Sequence, residues 1–117
     1  MRLTEITFEE GRPVDGYGSN FFRIAGEVFE GQVAILPNSC GHWLGFEDPT
    51  PFVLAANDLD VVFVGTGAQI CQIPLNFRTA LEDAGIGVEI MNSPTACRTY
   101  NVMLSEGRRI GLALVPV

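Results

Sequence analysis

Asp60-Val61-Val62-Phe63-Val64-Gly65-Thr66-Gly67 is the stretch from which the rest of the chain can be read. Its apolar residues are consecutive and β-favouring, with no polar residue alternating between them. A strand wetted on one side alternates, whereas a strand covered on both faces, as in a parallel sheet, does not. The run stops at Gly65-Thr66-Gly67. Pro74 then opens a helical pattern in which Phe77, Ala80, Leu81 and Ala84 fall on one face, and Gly85 is a stop signal. Ile86 to Ile90 reads as the next strand. Ser93-Pro94 reads as a helix start, with Ser93 as the cap and Pro94 in the first position. Ala96, Cys97, Tyr100, Met103 and Leu104 form one apolar stripe, Gly107 ends it, and Ile110 to Val115 is a final apolar strand. The pattern is β-α-β-α-β, with strands expected at 60–65, 86–90 and 109–115 and helices near 75–84 and 94–106. Right-handed crossovers make the three strands a parallel core.

The N-terminal half is less regular. Phe21 to Ala25 and Gln32 to Leu36 read as strands, with Glu30-Gly31 as the tight turn of a hairpin that extends or flanks the sheet. Residues 1–20 are polar and glycine-rich, with Leu3, Ile6 and Phe8 giving a short edge strand at most. Residues 38–51 read as a loop, and a short helix is expected at about 50–56, with Thr50 as cap and Pro51 first. No repeat and no linker divides the chain. The expectation is one domain over 1–117. Its class is α/β: a three-layer sandwich around a mixed sheet, with a β-α-β-α-β parallel core (about 60–115) and an N-terminal β-hairpin segment.

Charge removes several functions. The seven basic residues are all arginine, so phosphate-loop, Schiff-base and general-base lysines are impossible. A net charge of −7 opposes binding to DNA, RNA and anionic membranes. No apolar run reaches the ~18 residues of a membrane helix, and Met1 to Glu5 contain no apolar signal core. A soluble, cytoplasmic protein is expected. Cys40, Cys71 and Cys97 form no Cys-x-x-Cys pair, and His42 is the single histidine, so no disulfide framework, metal centre or cofactor is expected.

Two loops converge where ligands bind in open α/β sheets, at the carboxyl ends of the strands. They are Gly65-Thr66-Gly67 and the segment 91–95, which opens a helix whose free N–H groups and dipole favour an anion. Thr66, Ser93 and Thr95 supply hydroxyls; Arg98, one turn in, can fork onto a carboxylate or phosphate, and Asn101 follows on a similar face. The candidate cleft is therefore Gly65, Thr66, Gly67, Ser93, Thr95, Arg98 and Asn101. The same residues also read as turn glycines, helix caps and a surface arginine. A dinucleotide motif is poorly matched: position 70 is isoleucine where a third glycine belongs, although Glu89 stands near the usual acidic position. Cys40-Gly41-His42 lacks an orienting third group for nucleophilic chemistry, and no catalytic residue is assigned.

Val62-Phe63-Val64-Gly65-Thr66-Gly67, Gly87-Val88-Glu89-Ile90-Met91 and the run Ala96 to Arg109, preceded by Phe22-Arg23-Ile24, the Val33 to Pro37 strand and Trp43, together resemble one family. It is the small α/β domain of uncharacterised bacterial and archaeal proteins that also contains the mitochondrial respiratory complex I assembly factor. The resemblance covers about residues 17–116 and implies a three-layer α/β fold around a mixed sheet, without a known reaction. The leading expectation is a non-enzymatic binding or assembly-factor-like domain acting through contacts with another protein. The alternative is a small-molecule anion-binding protein or enzyme using the cleft around 65–67 and 93–101.

Overall fold

The computed structural model describes residues 11–117. The edge strand expected around Leu3, Ile6 and Phe8 lies outside the described residues. Strands β1 (Val14–Gly18), β2 (Phe21–Ile24) and β3 (Glu27–Glu30) form a small antiparallel sheet. The main sheet has five strands in the order β5-β4-β8-β6-β7. Its members are β4 (Val33–Leu36), β5 (Ser39–His42), β6 (Val61–Thr66), β7 (Gly87–Met91) and β8 (Ile110–Val115). Helices α1 (Thr50–Leu54), α2 (Leu75–Asp83) and α3 (Ser93–Ser105) complete the fold.

The parallel core is as expected. β6 pairs in parallel with β7 on one side and with β8 on the other. Because the strand order reverses at β6, right-handed crossovers must place α2 and α3 on opposite faces. Packing agrees. Val62 and Val64 of β6 pack with Phe77 and Leu81 of α2, while Phe63 packs with Ala96, Cys97 and Tyr100 of α3. Each strand residue serves one layer or the other, which is why β6 and β8 are apolar without interruption. The small sheet shares the α3 face, contributing Val14, Phe22, Ile24 and Phe29 to its core. The result is three layers around a mixed sheet.

The N-terminal half departs from expectation in three places. First, the hairpin does not turn at Glu30-Gly31. β2 pairs with β3, not β4, and the turn is Ala25-Gly26, both at positive φ (50° and 84°) as a primed two-residue turn requires. Gly31 instead carries the chain from the small sheet into the main one, its N–H donating to the Asn20 carbonyl at 2.9 Å. Second, the glycine-rich segment before residue 20 contains a strand, β1. Third, residues 39–42 are not loop but the edge strand β5, paired antiparallel with β4 through a turn at Pro37-Asn38. The short helix forms at 50–54, with Pro49 rather than Thr50 in the cap position. No helix among the described residues is long and apolar enough to cross a membrane.

Candidate functional site

β6, β7 and β8 all end on one edge of the sheet, at Thr66, Met91 and Val115. From there the chain leaves β6 toward α2 on one face and leaves β7 toward α3 on the other. Divergence of this kind opens a crevice in open α/β sheets. Here the chain's own side chains occupy it. Ser93 is fully buried; its Oγ accepts the Gly67 N–H at 2.8 Å and donates to the Val115 carbonyl at 2.5 Å. The Ser93 N–H returns a bond to the Gly67 carbonyl at 2.8 Å. A Cβ on Gly65 would lie 2.7 Å from Ser93 Oγ, so glycine at 65 is what lets the first turn of α3 reach the sheet. The Thr66 hydroxyl donates to the Gln69 carbonyl at 2.7 Å and accepts the Cys71 N–H at 3.1 Å, closing the following loop on itself.

The helix start differs from the sequence expectation for a related reason. Asn92, not Ser93, is the cap of α3: its Oδ1 accepts the Thr95 N–H at 2.9 Å. Ser93 cannot cap because its hydroxyl is committed to the sheet. A serine at a strand-to-helix turn also has the place of a nucleophile elbow. This hydroxyl, however, is sealed from solvent, and the single histidine of the chain stands exposed on β5, edge-on to Phe29. Cys40 and His42 share a face of β5, but no hydrogen bond among the described residues joins them.

The structure thus brings Gly65, Thr66, Gly67 and Ser93 together as a packed joint. Thr95 and Arg98 stand beside it. Arg98 is exposed and leans toward the helix N-terminus, where its Nη2 donates to Thr95 Oγ1 at 3.3 Å. Asn101 is not with them. Its side chain accepts the Val14 N–H at 2.9 Å and donates to the Val14 carbonyl at 2.8 Å, fastening β1 to α3. It borders a different hollow of about 750 Å³, which Leu104, Arg108 and Asp58 also line. Among the described residues no group of three His, Cys, Asp or Glu side chains could hold a metal ion.

Sequence reasoning passed over what surrounds the joint. Leu44, Ile70 and Leu75 are 81%, 62% and 74% exposed, on the segments that follow β5 and β6 at this same edge. The two segments are held together by rings: Trp43 and Phe46 pack on Phe77 of α2 at centroid distances of 5.6 and 5.2 Å. Leucines beside buried aromatics, outside any helical or strand period, were the available signal.

The geometry defines a small three-layer α/β domain whose strand-end crevice is closed and whose carboxyl edge carries three exposed apolar side chains. The chain belongs to the family described as protein of unknown function (DUF498/DUF598), whose model matches residues 14–115. The resemblance carried by residues 62–67, 87–91 and 96–109 is borne out. Over 117 residues the chain is 42% identical to an uncharacterised protein of Rhodobacter capsulatus, covering all of this chain and 94% of that one. It is 31% identical to NADH dehydrogenase (ubiquinone) 1 alpha subcomplex assembly factor 3 of Rattus norvegicus, covering 99% of this chain and 66% of the factor. The chain therefore spans just under two thirds of that relative. A crystal structure of an outer membrane protein from Bartonella henselae superposes with a TM-score of 0.84 at 27% identity, covering 94% of this chain and 99% of that one.

Proposed function

We propose that this chain is a non-enzymatic binding domain that works through protein contacts, in the manner of an assembly factor. The observation that carries the reading is the group of exposed apolar side chains, Leu44, Ile70 and Leu75, on neighbouring segments at the carboxyl edge. Single exposed apolar residues are ordinary, whereas a group of them on adjoining segments is what a contact surface offers. The relative named as an assembly factor supports the same reading. The joint around Ser93 weakens the alternative of a small-anion site, since the hydroxyls of Ser93 and Thr66 already have partners within the chain. A cytoplasmic setting is part of the proposal, supported by three cysteines that are all free thiols.

The test compares the natural chain with Leu44→Glu and Leu75→Glu as baits in native lysate, both substitutions lying on exposed positions. A partner protein retained by the natural chain and lost with either variant is the expected result. In parallel, thermal melts are recorded with millimolar phosphate, sulfate and small carboxylates. A rise in Tm that Arg98→Ala abolishes would overturn the proposal in favour of an anion site.

A further inference from the structure

β7 is an edge of the main sheet, and its outward main-chain groups can be assigned. The Gly87 N–H donates to the Asp60 carbonyl at 2.9 Å, and the Met91 carbonyl lies 3.3 Å from the Thr66 hydroxyl, so both residues direct their polar groups toward β6. Groups alternate along a strand, so Glu89 also bonds inward, and the N–H and C=O of Val88 and Ile90 face out. Among the described residues no strand pairs with that side. Val88 and Ile90 are partly buried on the α2 face, whereas Glu89 is exposed on the other.

Charge decides what such an edge can accept. An antiparallel strand bonded to Val88 and Ile90 would meet Glu89 at a non-hydrogen-bonded position, where facing Cα atoms are only about 4.5 Å apart. Two copies of β7 paired about this point would set Glu89 against Glu89, a like-charge pair that disfavours the arrangement. Glu82 and Asp83 stand exposed at the end of α2, which packs on β7, and the chain carries −7 overall. A second copy is therefore repelled, and a basic strand is attracted.

We infer that the free edge of β7 is a strand-addition site for an extended segment of a partner protein that places an arginine or lysine opposite Glu89. Main-chain bonds to Val88 and Ile90 supply affinity, and the charge across from Glu89 selects the partner and its register. The inference rests on the reading that the chain acts through protein contacts, but it uses a different surface from Leu44 and Leu75.

The experiment is a ¹⁵N NMR titration of the full chain with a short peptide of alternating valine and threonine carrying a central arginine, and with its central-glutamate counterpart. The arginine peptide is expected to shift the Val88 and Ile90 amides and slow their hydrogen exchange. The Gly87 and Glu89 amides, already bonded to β6, should gain little protection. The glutamate peptide should bind about tenfold more weakly, and Glu89→Arg should reverse the preference. Absence of change at Val88 and Ile90 up to millimolar peptide, or equal response to both peptides, would overturn the inference. Either result would leave the behaviour of the Leu44 and Leu75 variants as an independent measurement of the contact surface at the carboxyl edge.

Discussion

Both faces of the main sheet are closed by apolar cores, but they differ in what is added to the packing. On the α3 face, directional bonds join segments far apart in the chain. Asn101 holds both polar groups of Val14, and the Tyr100 hydroxyl donates to the Arg12 carbonyl at 3.0 Å. On the α2 face, the rings of Trp43, Phe46, Phe52 and Phe77 pack on one another at centroid distances between 5.2 and 5.9 Å. The polar anchor there is the Trp43 indole N–H on the Asp48 carbonyl at 2.9 Å. A hydrogen bond is intolerant of displacement but contributes only about 1 kcal/mol net. Aromatic packing accepts several orientations but buries 150–250 Å² per ring, roughly. The α3 face adds bonds that fix where the small sheet sits, and the α2 face closes through the mutual packing of its rings.

The strongest challenge to that division is Phe77→Ala. Phe77 is fully buried and touches the other three rings. Its truncation should cost about 3–5 kcal/mol in urea unfolding, the range for a large aromatic side chain removed from a core. Far smaller loss would mean that the aromatic cluster is not the main support of its face.

Next in size is Asn101→Ala, which strands the N–H and C=O of Val14. About 1–3 kcal/mol is expected. The division of labour adds a sharper requirement: amide shifts should concentrate in β1 and β2 and leave α2 unmoved. Changes spread evenly over both faces would contradict it. Ser93→Ala is expected to fall within the same range, because it leaves the buried Gly67 N–H without its acceptor. Its perturbation should appear at the ends of β6 and β8.

The same contrast explains what could be read from the residues alone. β6 and β8 were legible because a strand covered on both faces must be apolar throughout. β5, Ser39-Cys40-Gly41-His42, was not, because a main-chain ladder with β4 holds it and few of its side chains report that. β1 hides for a similar reason: Val14 is its one buried residue, and its anchor, Asn101, lies 87 positions away. The turn at Ala25-Gly26 escaped because alanine rarely adopts φ +50°, whereas Glu30-Gly31 has the usual look of a turn. At the strand ends, topology alone brought 65–67 and 93 to one edge. It could not say that the Ser93 hydroxyl would turn inward and fill the crevice, nor that Asn101 would face β1, since both depend on side-chain direction rather than on period.

The smallest expected effect is chemical, and it separates the α3 face from the carboxyl-edge loop. Cys97 is buried under α3, and Cys40 is partly buried against the same core, whereas Cys71 is exposed on the loop after β6. Burial pushes the Cys97 thiol up to about 12. It pushes Cys40 up to about 11, with the Arg12 guanidinium pulling in the opposite direction. Alkylation proceeds through the thiolate, so iodoacetamide near neutral pH should label Cys71 in the folded chain well before the other two. The raised values also fix a sign. Between the unfolded thiol pKa of about 8.5 and the folded values, the native state holds more protons than the unfolded state, so stability falls as pH rises through that window. Cys97→Ala should flatten this alkaline fall, with a pH-independent cost of about 0.5–1.5 kcal/mol for the one heavy atom removed from the core. Equal labelling of all three cysteines by mass spectrometry, or a stability that climbs between pH 9 and 11, would show that the α3 face is more open to water than its packing implies.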